Sequence, residues 1–62
     1  MVTASVSSKP YPRVIFSNGK TIDYNASHEP FEHNLKNALA GAKRFNELDD
    51  LSKKKVLDAF FN

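Results

Sequence analysis

Asn18-Gly19 stands between two five-residue runs, Arg13-Val14-Ile15-Phe16-Ser17 and Lys20-Thr21-Ile22-Asp23-Tyr24, and this arrangement predicts a β-hairpin. A two-residue type I′ turn needs positive φ at both central positions, which Asn tolerates and Gly adopts freely, and its twist matches that of the flanking strands. Such a turn pairs Ser17 with Lys20, Phe16 with Thr21, Ile15 with Ile22, Val14 with Asp23 and Arg13 with Tyr24. Ile15, Ile22 and Tyr24 then share one face, while Val14 and Phe16 share the other with Thr21 and Asp23.

Upstream of the hairpin, Val2, Ala4 and Val6 alternate with Thr3, Ser5 and Ser7, a weak period of two. Pro10 and Pro12 remove backbone donors on either side of Tyr11 and favour extended chain there. Residues 1–10 are thus expected to be a loosely ordered tail or an edge strand, and 11–62 a single small domain.

Downstream, Phe31, Leu35, Ala38, Leu39, Ala42 and Phe45 recur at helical spacing and predict a first helix. Ser27 is its expected N-cap. Pro30, Glu29 and Glu32 suit the first turn, and Lys43 and Arg44 suit the last. Gly41 costs about 1 kcal/mol relative to Ala unless something packs closely against it. Asn46-Glu47-Leu48 reads as a reversal, with Asp49 or Asp50 capping a second helix that runs to about Phe61. Leu48, Leu51, Val56, Leu57, Phe60 and Phe61 give that helix a broad apolar face, and Asp50, Lys54 and Asp58 follow one another at spacings of four.

The fold class that follows is α+β: a β-hairpin, with or without a third N-terminal strand, packed on an antiparallel helical hairpin in ββαα order. One helix layer covers only one face of the predicted hairpin, and an isolated two-strand ribbon is marginal in water. A chain of 62 residues without cysteine has a small core and no disulfide to reinforce it. A homodimer that pairs strand edges or buries Phe16, Phe60 and Phe61 is therefore expected.

Several kinds of chemistry lack their residues. His28-Glu29-Pro30-Phe31-Glu32-His33 resembles the zinc-binding HExxH pattern, but its second His is five positions after the first, not four. Five helical residues turn through about 500°, which splays the two rings apart. A His28 and Glu32 pair would need further ligands from another subunit, so neither metal nor cofactor is expected. No Cys nucleophile or Gly-rich phosphate loop occurs, and the Ser5, Ser7 and Ser8 group lies where a nucleophile is poorly held, so the chain is not expected to be an enzyme.

Nine Lys or Arg against seven Asp or Glu leave a net charge of +2, too small by itself to indicate nucleic acid. The alternative reading gathers Lys36, Lys43, Arg44, Lys53, Lys54 and Lys55 into a phosphate-contacting surface, although the second helix lacks Arg, Asn and Gln to read base edges. No apolar run approaches a membrane span, and the basic amphipathic C-terminal segment is too short to anchor alone. Residues 1–12 lack the basic and apolar regions of a signal peptide, so a cytoplasmic protein is expected.

What remains is an adaptor or inhibitor that occupies a surface of a larger protein of unspecified identity. Accessory proteins of phages and mobile elements are often this short, and such an origin is the expectation that goes with it. The surplus of aromatic side chains supports binding, since aromatics dominate interface hot spots. Two surfaces are predicted: the hairpin edge with Tyr11, Arg13, Val14 and Phe16, and the C-terminal end with Phe60 and Phe61 beside the lysines.

Overall fold

A computed structural model describes residues 1–61. Asn62, the last residue of the segment expected to form the domain, lies outside the described residues. Three strands, β1 (Ala4–Ser7), β2 (Arg13–Phe16) and β3 (Thr21–Asp23), precede two helices, α1 (Phe31–Asn46) and α2 (Asp50–Phe61). The sheet is antiparallel in the order β1-β2-β3, so the N-terminal alternation forms a strand and β2 is central. α1 lies against β1 and β2.

The hairpin forms in a different register from the one a two-residue turn imposes. Val14 pairs with Ile22, Ile15 with Thr21 and Arg13 with Asp23, a slip of one residue. The loop has three residues, Ser17, Asn18 and Gly19. The Gly19 N–H donates to the Phe16 carbonyl at 2.9 Å, and the Phe16 N–H donates to the Lys20 carbonyl at 2.8 Å. Gly19 alone takes positive φ, at 89°, which is the type I turn followed by a left-handed residue found in three-residue hairpin loops. Asn18 serves through its side chain instead, accepting the Lys20 N–H at Oδ1.

Burial favours this register. It places Val14 and Phe16 on the same face as Ile22 and Tyr24, opposite Ala4 and Val6 of β1. The two-faced hairpin of the shorter turn is thereby avoided, and one helix layer suffices. Ile15 and Thr21 turn to the other face.

Ala4, Val14, Phe16, Ala38, Ala42 and Phe45 form the buried core, ringed by Val2, Val6, Ile22, Tyr24, Val56, Leu57 and Phe61. Phe16 is its hub. Its ring meets Phe45 edge-on at 4.8 Å between centroids and Phe61 at 5.9 Å. On α1 the buried face is Asn34, Ala38, Ala42 and Phe45, narrower than the predicted stripe, and Phe31 and Leu39 are left 50% and 53% exposed. Spacings of four advance about 40° around a helix, so the row Phe31, Leu35, Leu39 drifts off the face that meets the sheet.

α1 begins later than expected. Its N-cap is Pro30, at φ −61° and ψ 153°, with no side-chain cap, so Ser27 does not cap it. The residue before a proline is steered away from helical backbone, which keeps Glu29 out of the helix. The His33 and Asn34 amides reach back to the Pro30 carbonyl. Lys43 and Arg44 do occupy the last turn. At α2 the cap is Asp49, whose Oδ1 accepts the Ser52 N–H at 2.7 Å. That amide, with the Ser52 hydroxyl second, holds the Asp49 carboxyl below its ordinary range.

Gly41 has the close neighbour that justifies it. A Cβ there would stand 2.7 Å from the Tyr24 hydroxyl oxygen and 3.5 Å from Cζ. Gly41→Ala therefore trades a helix-propensity gain of about 1 kcal/mol against displacement of the tyrosine. In a Tyr24→Phe background the oxygen is gone and the remaining contact is ordinary. A double-mutant cycle by urea unfolding is expected to show Gly41→Ala more stabilising there than in the wild type, by about 1 kcal/mol. Equal effects in both backgrounds would contradict the contact.

Candidate interaction surfaces

Both edges of β2 are taken by β1 and β3, so the predicted strand-accepting hairpin edge does not exist. Val14 and Phe16 are 2% and 4% exposed and face the helices, which withdraws them from any partner surface or dimer contact. Their sequence setting suggested a two-sided ribbon, whereas the register and β1 make them core. Tyr11 and Arg13 remain half-buried. The Tyr11 hydroxyl donates to Asp23 Oδ2 at 3.3 Å, and the Arg13 guanidinium carbon lies 6.0 Å from the Tyr11 ring centroid. Arg13 Nε is buried without a hydrogen-bond partner.

The C-terminal end keeps its apolar surface. Phe60 is 64% exposed, and Phe61 is half-buried against Phe16 with Lys20 Nζ 5.9 Å from its ring centroid. Phe61 also lines an open cleft of about 420 Å³ between the N-terminus, the hairpin turn and α2. Val2 and Leu57 contribute apolar side chains there, and Lys20, Lys54, Asp50 and Asp58 contribute charge.

The basic residues are divided. Lys36, Lys43, Arg44, Lys54 and Lys55 are exposed, but Lys53 is only 3% exposed. Its ammonium donates to the Val2 carbonyl at 2.8 Å and lies 5.4 Å from the centroid of Phe45. The reason is its position, since Lys53 precedes Leu57 and Phe61 by four and eight residues and falls on the inward stripe of α2. Lys53 thus leaves the predicted phosphate-contacting group. Lys54 forms an ion pair with Asp58 at 2.8 Å. His28 lies before α1, and His33 contacts Glu29 at 3.0 Å. Among the described residues, no three His, Cys, Asp or Glu side chains are grouped to hold a metal ion. Among the described residues, no helix is long and apolar enough to cross a membrane.

Two features of the surface escaped sequence reasoning. Asn46 reads as part of a reversal, yet its side chain clasps β1: the Ala4 N–H donates to Oδ1 at 2.7 Å, and Nδ2 donates to the Ala4 carbonyl at 2.8 Å. The spacing of Phe31, Leu35 and Leu39 signals a shared helix side but not which side the sheet would cover. Comparisons of the chain with protein-family models, with curated proteins and with solved structures find no match.

Proposed function

We propose that the chain is a small non-enzymatic protein-binding module, an inhibitor or adaptor that occupies a surface of a larger protein. The observation that carries this reading is Phe60, a large aromatic 64% exposed at the end of α2, next in sequence to the cleft-lining Phe61. An exposed aromatic at the same helix end as a cleft with apolar walls and a rim of both charges has the composition of an interface hot spot. A partner with an apolar pocket bordered by charges of both signs fits it.

The test is affinity capture with the wild type, followed by titration of the purified captured protein against wild type and Phe60→Ala. The expected result is a rise of roughly tenfold or more in Kd for Phe60→Ala with an unchanged circular dichroism spectrum. Equal affinity for both chains would contradict the surface. Nucleic-acid binding that survives physiological salt would instead give the role to Lys36, Lys43, Arg44, Lys54 and Lys55.

A further inference from the structure

We infer that α2 is a hinged cover that opens as a unit from a body of sheet and α1 that stays folded, and that the buried Lys53 sets how often it opens. The buried core belongs to the body. Ala4, Val14 and Phe16 come from the strands, and Ala38, Ala42 and Phe45 come from α1. The Asn46 clasp on Ala4 closes that body without α2. From α2 the core receives Val56, Leu57 and Phe61, each only half-buried, and the α2 backbone stands off from the sheet and from α1, which it meets through side chains.

Lys53 weakens this docking from within. It is the buried residue of α2, so each closure takes its ammonium out of water. An ammonium has three hydrogens to donate; the Val2 carbonyl accepts one, and the Phe45 ring at 5.4 Å is a weaker neighbour. A cation whose hydration is only partly replaced opposes burial, which offsets part of what the three half-buried apolar side chains contribute. An isolated helix of 12 residues is marginal in water, so α2 melts once it undocks and opening becomes one cooperative step. Glu47, Leu48 and Asp49, the connection from α1, are exposed and can take up the hinge motion without disturbing the core. The inference concerns how α2 is held rather than what Phe60 touches, so its failure would leave the partner-binding role standing.

Native-state hydrogen exchange of the full chain, followed residue by residue by NMR, tests it. The α2 amides from Lys54 to Phe61 are expected to share one protection factor, roughly tenfold or more below those of β2 and the slowest amides of α1. Lys53→Met removes the charge, keeps most of the stem and is expected to raise the shared α2 protection roughly tenfold. Amides of α2 protected as strongly as those of β2 would overturn the inference, because α2 would then open only with global unfolding. Protection that falls off gradually toward Phe61 would overturn it too, as fraying of a helix end. So would α2 protection that Lys53→Met leaves unchanged or lowers.

Discussion

Phe16→Ala is expected to leave the chain largely unfolded. Phe16 is 4% exposed and joins the sheet to α1 through Phe45 and to α2 through Phe61. Truncating a buried Phe costs about 3 to 5 kcal/mol, partly in lost transfer energy and partly in the cavity left behind. A chain of this length has roughly 3 to 9 kcal/mol to lose at 0.05 to 0.15 kcal/mol per residue. The core has no slack to absorb the cavity, because Ala4, Ala38 and Ala42 are too small to move into it. Far-UV circular dichroism with urea titration should show a much reduced or absent transition for Phe16→Ala. Phe60→Ala, at the exposed end of α2, should unfold close to the wild-type midpoint. If the two variants behaved alike, Phe16 would not be the hub of the core.

Asn46→Ala is the second large effect. The Asn46 amide completes the outer side of β1 at Ala4, supplying one acceptor and one donor across 42 positions of sequence. Ala4 faces Phe16 across the β1–β2 pair, so detaching it loosens the lid over the aromatic hub. Two hydrogen bonds at about 0.5 to 1.5 kcal/mol each give an expected loss of about 1 to 3 kcal/mol. Asn46→Asp keeps the acceptor but sets a carboxylate oxygen against the Ala4 carbonyl and a negative charge at the C-terminal end of α1, so its stability should fall at least as far as that of Asn46→Ala. Hydrogen exchange provides the specific readout: the Ala4 amide should exchange faster in Asn46→Ala even under conditions where α1 stays protected. An Ala4 amide that exchanges at the same rate in both chains would show that the clasp does not form.

These two residues also mark where the sequence was legible and where it was not. Asn18-Gly19 announces a hairpin, and a hairpin forms, but the dipeptide fits two loop lengths. Gly19 can be the second residue of a type I′ turn or the left-handed residue that follows a type I turn. The choice is made by burial, because only the longer loop gathers Val14, Phe16, Ile22 and Tyr24 on one face. Weighing the two registers by the apolar face each creates would have identified it from the sequence. The α2 start was readable because Asp49 has the right side chain one residue before the helix. The α1 start was obscured by the competition between Ser27 as a capping residue and Pro30 as a barrier to helix before it.

The candidate surfaces follow the same pattern. Phe60 was accessible to sequence reasoning because the apolar face of α2 is wider than one neighbour covers, although Phe61, its last aromatic, packs on Phe16. Lys53 was not, since three consecutive lysines look uniformly solvated unless the stripe through Leu57 and Phe61 is traced back to them. Val14 and Phe16 were assigned to a surface only because the assumed register left them without a covering layer. Correcting the register removes the hairpin from the candidate surfaces and leaves the C-terminal end of α2.

The most direct measurement of this claim is the set of Hα–Hα nuclear Overhauser effects across β2 and β3. Residues facing each other in non-hydrogen-bonded antiparallel pairs bring their Hα atoms close together. The Phe16–Lys20 closure and the Tyr24 N–H to Pro12 carbonyl bond make Ile15–Thr21 and Arg13–Asp23 such pairs. Strong Hα–Hα effects between Ile15 and Thr21 and between Arg13 and Asp23 are expected. Effects between Phe16 and Thr21 and between Val14 and Asp23 would instead report the two-residue turn, return Val14 and Phe16 to the face away from Ile22 and Tyr24, and contradict the assignment of the binding surface to the helices.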